Sequence, residues 1–181
     1  MDILLQQIIN GLVLGSMYAL VALGYTMVYG IINLINFAHG EVLMVGALTS
    51  WTVLRALAGS GLPGWVLLLI SLVAAIVVCS ALNYAIEKIA YRPLRNAPRL
   101  APLITAMGMS LLLQTLAMII WKPTIKSYPI LLPSEPINVF GAVINTVQIL
   151  ILVITAVTLA SLMYLVNYTK LGRAMRAASD D

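Results

Sequence analysis

The chain has 181 residues, 62% of them hydrophobic and 9% charged, with a formal net charge of +4 and a mean hydropathy of +1.03. A water-soluble domain carries about 25% charged residues because its surface must be hydrated. This composition cannot clothe a globule in charge, so it excludes a soluble fold and leaves an integral membrane protein. The apolar runs are continuous rather than alternating, which favours helices over a barrel; the expected fold class is all-α, a polytopic membrane helix bundle.

A spanning helix needs about 20 apolar residues to cross a hydrocarbon core of about 30 Å. Five segments meet this, at residues 8–31, 40–58, 65–86, 101–121 and 146–166, and together they define an expected transmembrane domain over 1–166. The N-terminus, Met1-Asp2, has no Lys or Arg ahead of Arg55, so the basic start of a secretory signal peptide is missing and the first segment is expected to be retained. Within that segment Gly11, Gly15 and Ala19 form a small-residue stripe at four-residue spacing, the pattern that lets membrane helices approach closely.

Next comes Asn33-Leu34-Ile35-Asn36-Phe37-Ala38-His39-Gly40-Glu41, flanked by two uncharged runs, Ile8 to Ile32 and Val42 to Leu54. Two amides, the single His and a Glu are costly in a bilayer, so Asn33, Asn36, His39, Gly40 and Glu41 are candidates for the translocation path or for a helix break. The other reading is a polar turn whose His39 and Glu41 reach the headgroups. Residues 3–58 then hold two spans, or one span and a re-entrant helix broken at Asn33 to Gly40.

In the third segment Ser71, Ala75 and Cys79 form a second small stripe, continued by Asn83. Cys79, the only cysteine, reads as a packing residue. Orientation follows from Lys and Arg: Lys88, Arg92, Arg95 and Arg99 after the third segment, and Lys170, Arg173 and Arg176 after the fifth, hold seven of the ten basic residues. Both stretches are expected to be cytoplasmic and the N-terminus outside. The loop 122–145 then faces out, and its Pro123, Pro129, Pro133 and Pro136 favour extended structure, either as a connector or as a docking surface.

The tail, 167–181, forms a separate cytoplasmic segment. Leu171, Ala174, Met175 and Ala178 recur at helical spacing, with Arg173 and Arg176 off that stripe. Such a face can lie on anionic lipid or dock into a groove on a cytoplasmic protein. The last residues, Asp180 and Asp181, oppose the helix dipole and no C-cap Gly follows, so the chain reads as cut short inside an element.

Catalytic and phosphate-binding motifs are missing from the sequence: there is no His-Glu-x-x-His, no Gly-x-Ser-x-Gly, no paired Cys motif and no Gly-x-x-x-x-Gly-Lys-Ser/Thr loop. One His and one Cys cannot make a His/Cys metal site, so no enzyme, no metal and no cofactor are expected. The basic residues sit where they set topology and are no sign of nucleic acid.

Four separated stretches, Gly15 to Gly30, Asn33 to Glu41, Tyr91-Arg-Pro-Leu-Arg95 and Leu171-Gly-Arg-Ala-Met-Arg176, resemble the permease family of branched-chain amino-acid ABC transporters, in the right order over essentially the whole chain. The likeness is closest to the first of that family's two permease subunits. It implies a prokaryotic inner-membrane importer subunit that works with a second permease subunit, two cytoplasmic ATPase subunits and a periplasmic substrate-binding protein, and carries leucine, isoleucine or valine. It also implies that the tail from Leu171, with Gly172, Arg173, Ala174, Met175 and Arg176, starts the coupling helix that contacts an ATPase. Family members continue with further spans, which again marks this chain as an N-terminal portion. Related permeases carry urea or short amides, and a half-sized channel or secondary transporter remains the alternative from another class.

Overall fold

A computed structural model describes residues 2–32, 35–98, 100–139 and 141–180. Among these residues the regular structure is helical apart from one small sheet, and six α-helices are present: α1 Asp2–Ile32, α2 His39–Ala56, α3 Gly64–Ile86, α4 Leu100–Trp121, α5 Thr146–Tyr168 and α6 Lys170–Asp180. Four stretches are long and apolar enough to cross a membrane: Ile3–Gly30, Gly64–Leu94, Leu100–Trp121 and Thr146–Tyr168. The second expected span is a helix too, but α2 is not among the four. Its 18 residues include His39, Glu41 and Arg55, which dilute its apolar content. Large side chains along these helices, such as Ile104, Leu111, Ile119 and Val157, are exposed, as a lipid-facing surface requires.

The chain divides into two compact units, residues 1–33 with 132–181, and residues 34–131. The first contains α1, α5, α6 and an antiparallel hairpin, β1 Pro136–Val139 and β2 Ala142–Asn145, paired from Pro136 with Asn145 to Val139 with Ala142. The hairpin forms inside the proline-rich loop, with Pro136 opening an edge strand, where its missing N–H does no harm, and Gly141 at φ 86° in the turn. An amide from α1 completes β2: Gln6 donates to the Val143 carbonyl at 3.0 Å and accepts from the Val143 N–H at 2.8 Å. α1 therefore starts several residues before the expected segment at 8, since Gln6 and Gln7 are polar but helix-compatible. Asn145 and Gln148 then form a reciprocal capping box that starts α5.

The second unit packs α2 against α3 and α4. Its core is Ala38, Val42, Ile86 and Leu113, with Cys79, Leu82, Ala90, Tyr91 and Met109 around it. The small stripe of α3 faces α2: Cys79 donates through its thiol to the Val42 carbonyl, and a Cβ on Gly46 would lie 2.8 Å from the Cys79 sulfur. Residues after 86, expected as a loop, continue α3 as a π turn, Glu87–Tyr91, and a 3-10 turn, Arg92–Leu94. Pro93 supplies the reason, since its ring cannot be accommodated in regular α-helix and the turn before it must widen. Arg95 closes this end with an ion pair to Glu87 at 3.2 Å.

At the other end of the unit the loop after α4 folds back on the helix ends. Trp51 donates to the Ser127 carbonyl at 3.1 Å, Trp121 to the Thr52 hydroxyl at 2.8 Å, and Tyr128 to the Ala47 carbonyl. Indole and phenol groups with one wet and one apolar side are suited to a membrane interface.

Candidate functional site

The polar cluster falls where helix stops. α1 ends at Ile32 and α2 begins at His39, with Ile35 and Asn36 irregular and Phe37–Ala38 in a turn. Asn33 lies outside the described residues. A break in an apolar environment leaves backbone donors and acceptors that need partners. Asn36 provides them: its side-chain oxygen accepts the Ala38 N–H at 3.0 Å, and its carbonyl accepts the His39 N–H at 3.1 Å. This is the local turn that an Asn can close on its own backbone two residues on. Ala38 is fully buried, and its size lets the turn pack between Ile86 and Leu113.

Two long-range bonds anchor the break to the neighbouring helices. The Tyr91 hydroxyl donates to the same Asn36 oxygen at 2.9 Å, linking the break to the π turn at the end of α3. Glu41, in the first turn of α2, accepts from Ser110 at 3.1 Å and Gln114 at 2.6 Å, both on α4. Glu41 also lies near the positive end of the α2 dipole. His39 is half-buried at the start of α2, and Gly40 is exposed with open space where a Cβ would be. The arrangement holds a carboxylate and an amide at fixed positions beside a helix break, and among the described residues no three His, Cys, Asp or Glu side chains gather.

Tyr91, Ser110 and Gln114 were not among the candidates. Tyr91 lies in the Tyr91–Arg95 stretch. Ser110 and Gln114 are polar residues four apart in an apolar segment, hence on one helix face; that spacing was the available signal.

The remaining candidates are in the other unit. Thr169 joins α5 to α6 without a loop: its N–H and hydroxyl both donate to the Leu165 carbonyl, and its hydroxyl oxygen accepts the Gly172 N–H at 3.2 Å as an N-cap. Gly172 is buried in this corner, where a Cβ would sit 2.1 Å from the Val166 carbonyl oxygen. Leu171, Arg173, Ala174 and Arg176 are exposed and Met175 is half-buried, so the expected apolar stripe is divided between an inward and an outward face. The side chain of Ala178 is not described. Arg176 reaches back to the Asn167 carbonyl at 3.5 Å. Gly11, Gly15 and Ala19 are exposed on α1, with nothing within 4 Å of a Cβ on either glycine, while Val13 is buried instead.

A family model described as branched-chain amino acid transport system / permease component matches residues 7–181. Among curated proteins the chain is similar to the high-affinity branched-chain amino acid transport system permease protein BraD of Pseudomonas aeruginosa, 47% identical over 182 residues. It is similar also to the permease proteins LivH of Escherichia coli K12, 43% identical, and of Salmonella typhimurium, 42% identical. In each case the alignment takes in 98% of this chain and 59% of the relative's length. No solved structure matches.

Proposed function

The chain belongs to the family of branched-chain amino-acid transport permease components, and from that premise we propose that it acts as a transmembrane permease subunit of an ATP-binding-cassette importer in a prokaryotic inner membrane. Its cargo is leucine, isoleucine or valine. Its partners are a second permease subunit, two cytoplasmic ATPase subunits and a periplasmic substrate-binding protein. The observation that carries this is the family match across residues 7–181, supported by relatives named for high-affinity branched-chain amino-acid transport.

In this reading the break at Asn36 is the joint of the permease. A helix interrupted inside a bundle can change angle without losing backbone hydrogen bonds when side chains hold the freed groups. Asn36 does so, Tyr91 ties it to the end of α3, and Glu41 ties α2 to α4 through Ser110 and Gln114; Asn33, His39 and Gly40 lie beside the same joint in sequence. Residues 87–100 and 167–181 face the cytoplasm and 122–145 the periplasm, by the Lys/Arg asymmetry. Leu171 and Ala174 on the exposed face of α6 contact an ATPase, with Arg173 and Arg176 at the rim, so that ATP-driven motion reaches α5 through the loop-free corner at Thr169.

The test is transport by the chain together with the subunits that co-purify with it. Proteoliposomes loaded with ATP should accumulate labelled leucine, isoleucine or valine only with ATP and a binding protein present. Uptake driven by a pH gradient without ATP would overturn the reading in favour of a secondary transporter, and preferential uptake of urea would overturn the assigned cargo.

A further inference from the structure

The 34–131 unit carries an open groove of about 400 Å³ beside α2 and α4, reaching Gln114 at its inner end and lined on its apolar part by Met44, Leu48, Ala117 and Met118. Its mouth is basic: Lys122, Pro123, Thr124 and Lys126 close it at the end of α4. Lys126 is committed to the fold, donating to the Trp121 carbonyl at 2.6 Å, the Thr124 hydroxyl at 3.0 Å and the Lys122 carbonyl at 3.5 Å, and so capping the last carbonyls of α4. Its ammonium also lies 5.1 Å from the Trp51 ring centre, with Arg55 over the same ring at 5.2 Å. Two cations, Lys122 and Lys126, therefore line the mouth. The only acids in residues 34–131 are Glu41 and Glu87, and both are bonded elsewhere, Glu41 to α4 and Glu87 to Arg95.

Lys122 has φ 59°, the left-handed conformation that glycine adopts at least cost after a helix. A lysine held there points to a use for its charge rather than to backbone economy. Depth defines what can use it. α4 is one of the membrane-crossing helices and ends at Trp121, so Lys122 is at headgroup level and the apolar lining lies in the acyl region directly beneath. A free amino acid does not fit this layout. The carboxylate nearest the groove, Glu41, is reached through Gln114, which is eight positions and about 12 Å along α4 from Lys122. An α-amino acid, with its two charges on one carbon, cannot touch both ends.

We propose that this groove binds one anionic phospholipid, with an acyl chain along Met44, Leu48, Ala117 and Met118 and the phosphate held by Lys122 beside the positive charge of Lys126. The bound lipid fills the apolar lining and offsets the charge of Lys122 and Lys126. The site belongs to the chain itself and stands whatever the cargo of the permease.

The test uses the chain purified in mild detergent, in a Trp65→Phe background so that Trp51 and Trp121 report on the groove. Brominated phosphatidylglycerol should quench their fluorescence at concentrations at least tenfold below brominated phosphatidylcholine with the same acyl chains. Inorganic phosphate should not compete, because the chain as well as the headgroup is read. Lys122→Gln should abolish the preference between the two lipids. Met118→Trp, which fills the groove, should lower phosphatidylglycerol retention in native mass spectra by at least tenfold. Equal quenching by both lipids, competition by phosphate alone, or unchanged retention in a helical Met118→Trp protein would each overturn the proposal. The unmutated quenching comparison decides the matter even if a substituted chain fails to fold.

Discussion

One oxygen of Asn36 serves both the local turn and the long-range link to Tyr91. Removing the Tyr91 hydroxyl leaves the turn bond intact, so Tyr91→Phe should cost about 1 kcal/mol, the net value of one hydrogen bond. Asn36→Ala removes both bonds and should cost more. A double-mutant cycle on unfolding in mixed detergent should return a coupling of about 1 kcal/mol between the two positions; no measurable coupling would mean the bond contributes nothing. Glu41 behaves differently because it is a charged acceptor. Gln114→Leu strips a half-buried carboxylate of its shorter partner and should destabilise by roughly 2 kcal/mol. Glu41→Gln should be milder, since an amide oxygen still accepts from Ser110 and Gln114. The reverse order of the two, read from the same unfolding curves, would show that the charge itself stabilises the fold there.

α6 depends on a corner only glycine can turn. A Cβ at Gly172 would meet backbone oxygen of Val166, which no side-chain rotation can relieve. Gly172→Ala should therefore detach α6 from α5, seen as faster proteolysis after Arg173 and Arg176, while Gly11→Ala, in open space, should leave the chain's own stability within about 0.5 kcal/mol of the parent. The same geometry decides how the proposed ATPase contact must be tested. Met175 is half-buried, so Met175→Asp mixes loss of folding with loss of docking. Leu171 is 57% exposed, so Leu171→Asp should uncouple ATP hydrolysis from uptake with no change in thermal midpoint. Uptake unchanged by Leu171→Asp would remove α6 from the coupling path.

For the molecule as a whole, basic residues of the 34–131 unit flank α4 at both ends, Lys88, Arg92, Arg95 and Arg99 before it in sequence and Lys122 and Lys126 after it, with Arg55 in the last turn of α2. The proposed orientation puts the first group in the cytoplasm. In a Cys79→Ser background, Asn96→Cys should be protected from an impermeant thiol reagent in intact cells and Ile125→Cys, whose position is fully exposed, should be labelled. Labelling of both, or of Asn96→Cys alone, would reject that orientation.

The sequence by itself determined the solvent and the helices. Charge content and unbroken apolar runs are sums over neighbouring residues, and they fall on α1 to α5 wherever the backbone must satisfy its own hydrogen bonds. The prolines after Trp121 likewise announced the loop in which the hairpin forms, and the Asn and Gly residues near 33–41 announced a place where helix could stop. Only the tertiary structure decided what those residues touch. Asn36 meets Tyr91 across 55 positions and Glu41 meets Gln114 across 73, pairings set by how α3 and α4 rotate and slide against α2. It also decided that the small stripe on α3 is packed while that on α1 is bare, and that Met175 turns in while Leu171 turns out. Spacing along one helix defines a face, but which neighbour that face meets depends on packing between helices distant in sequence, and local pattern carries no record of it.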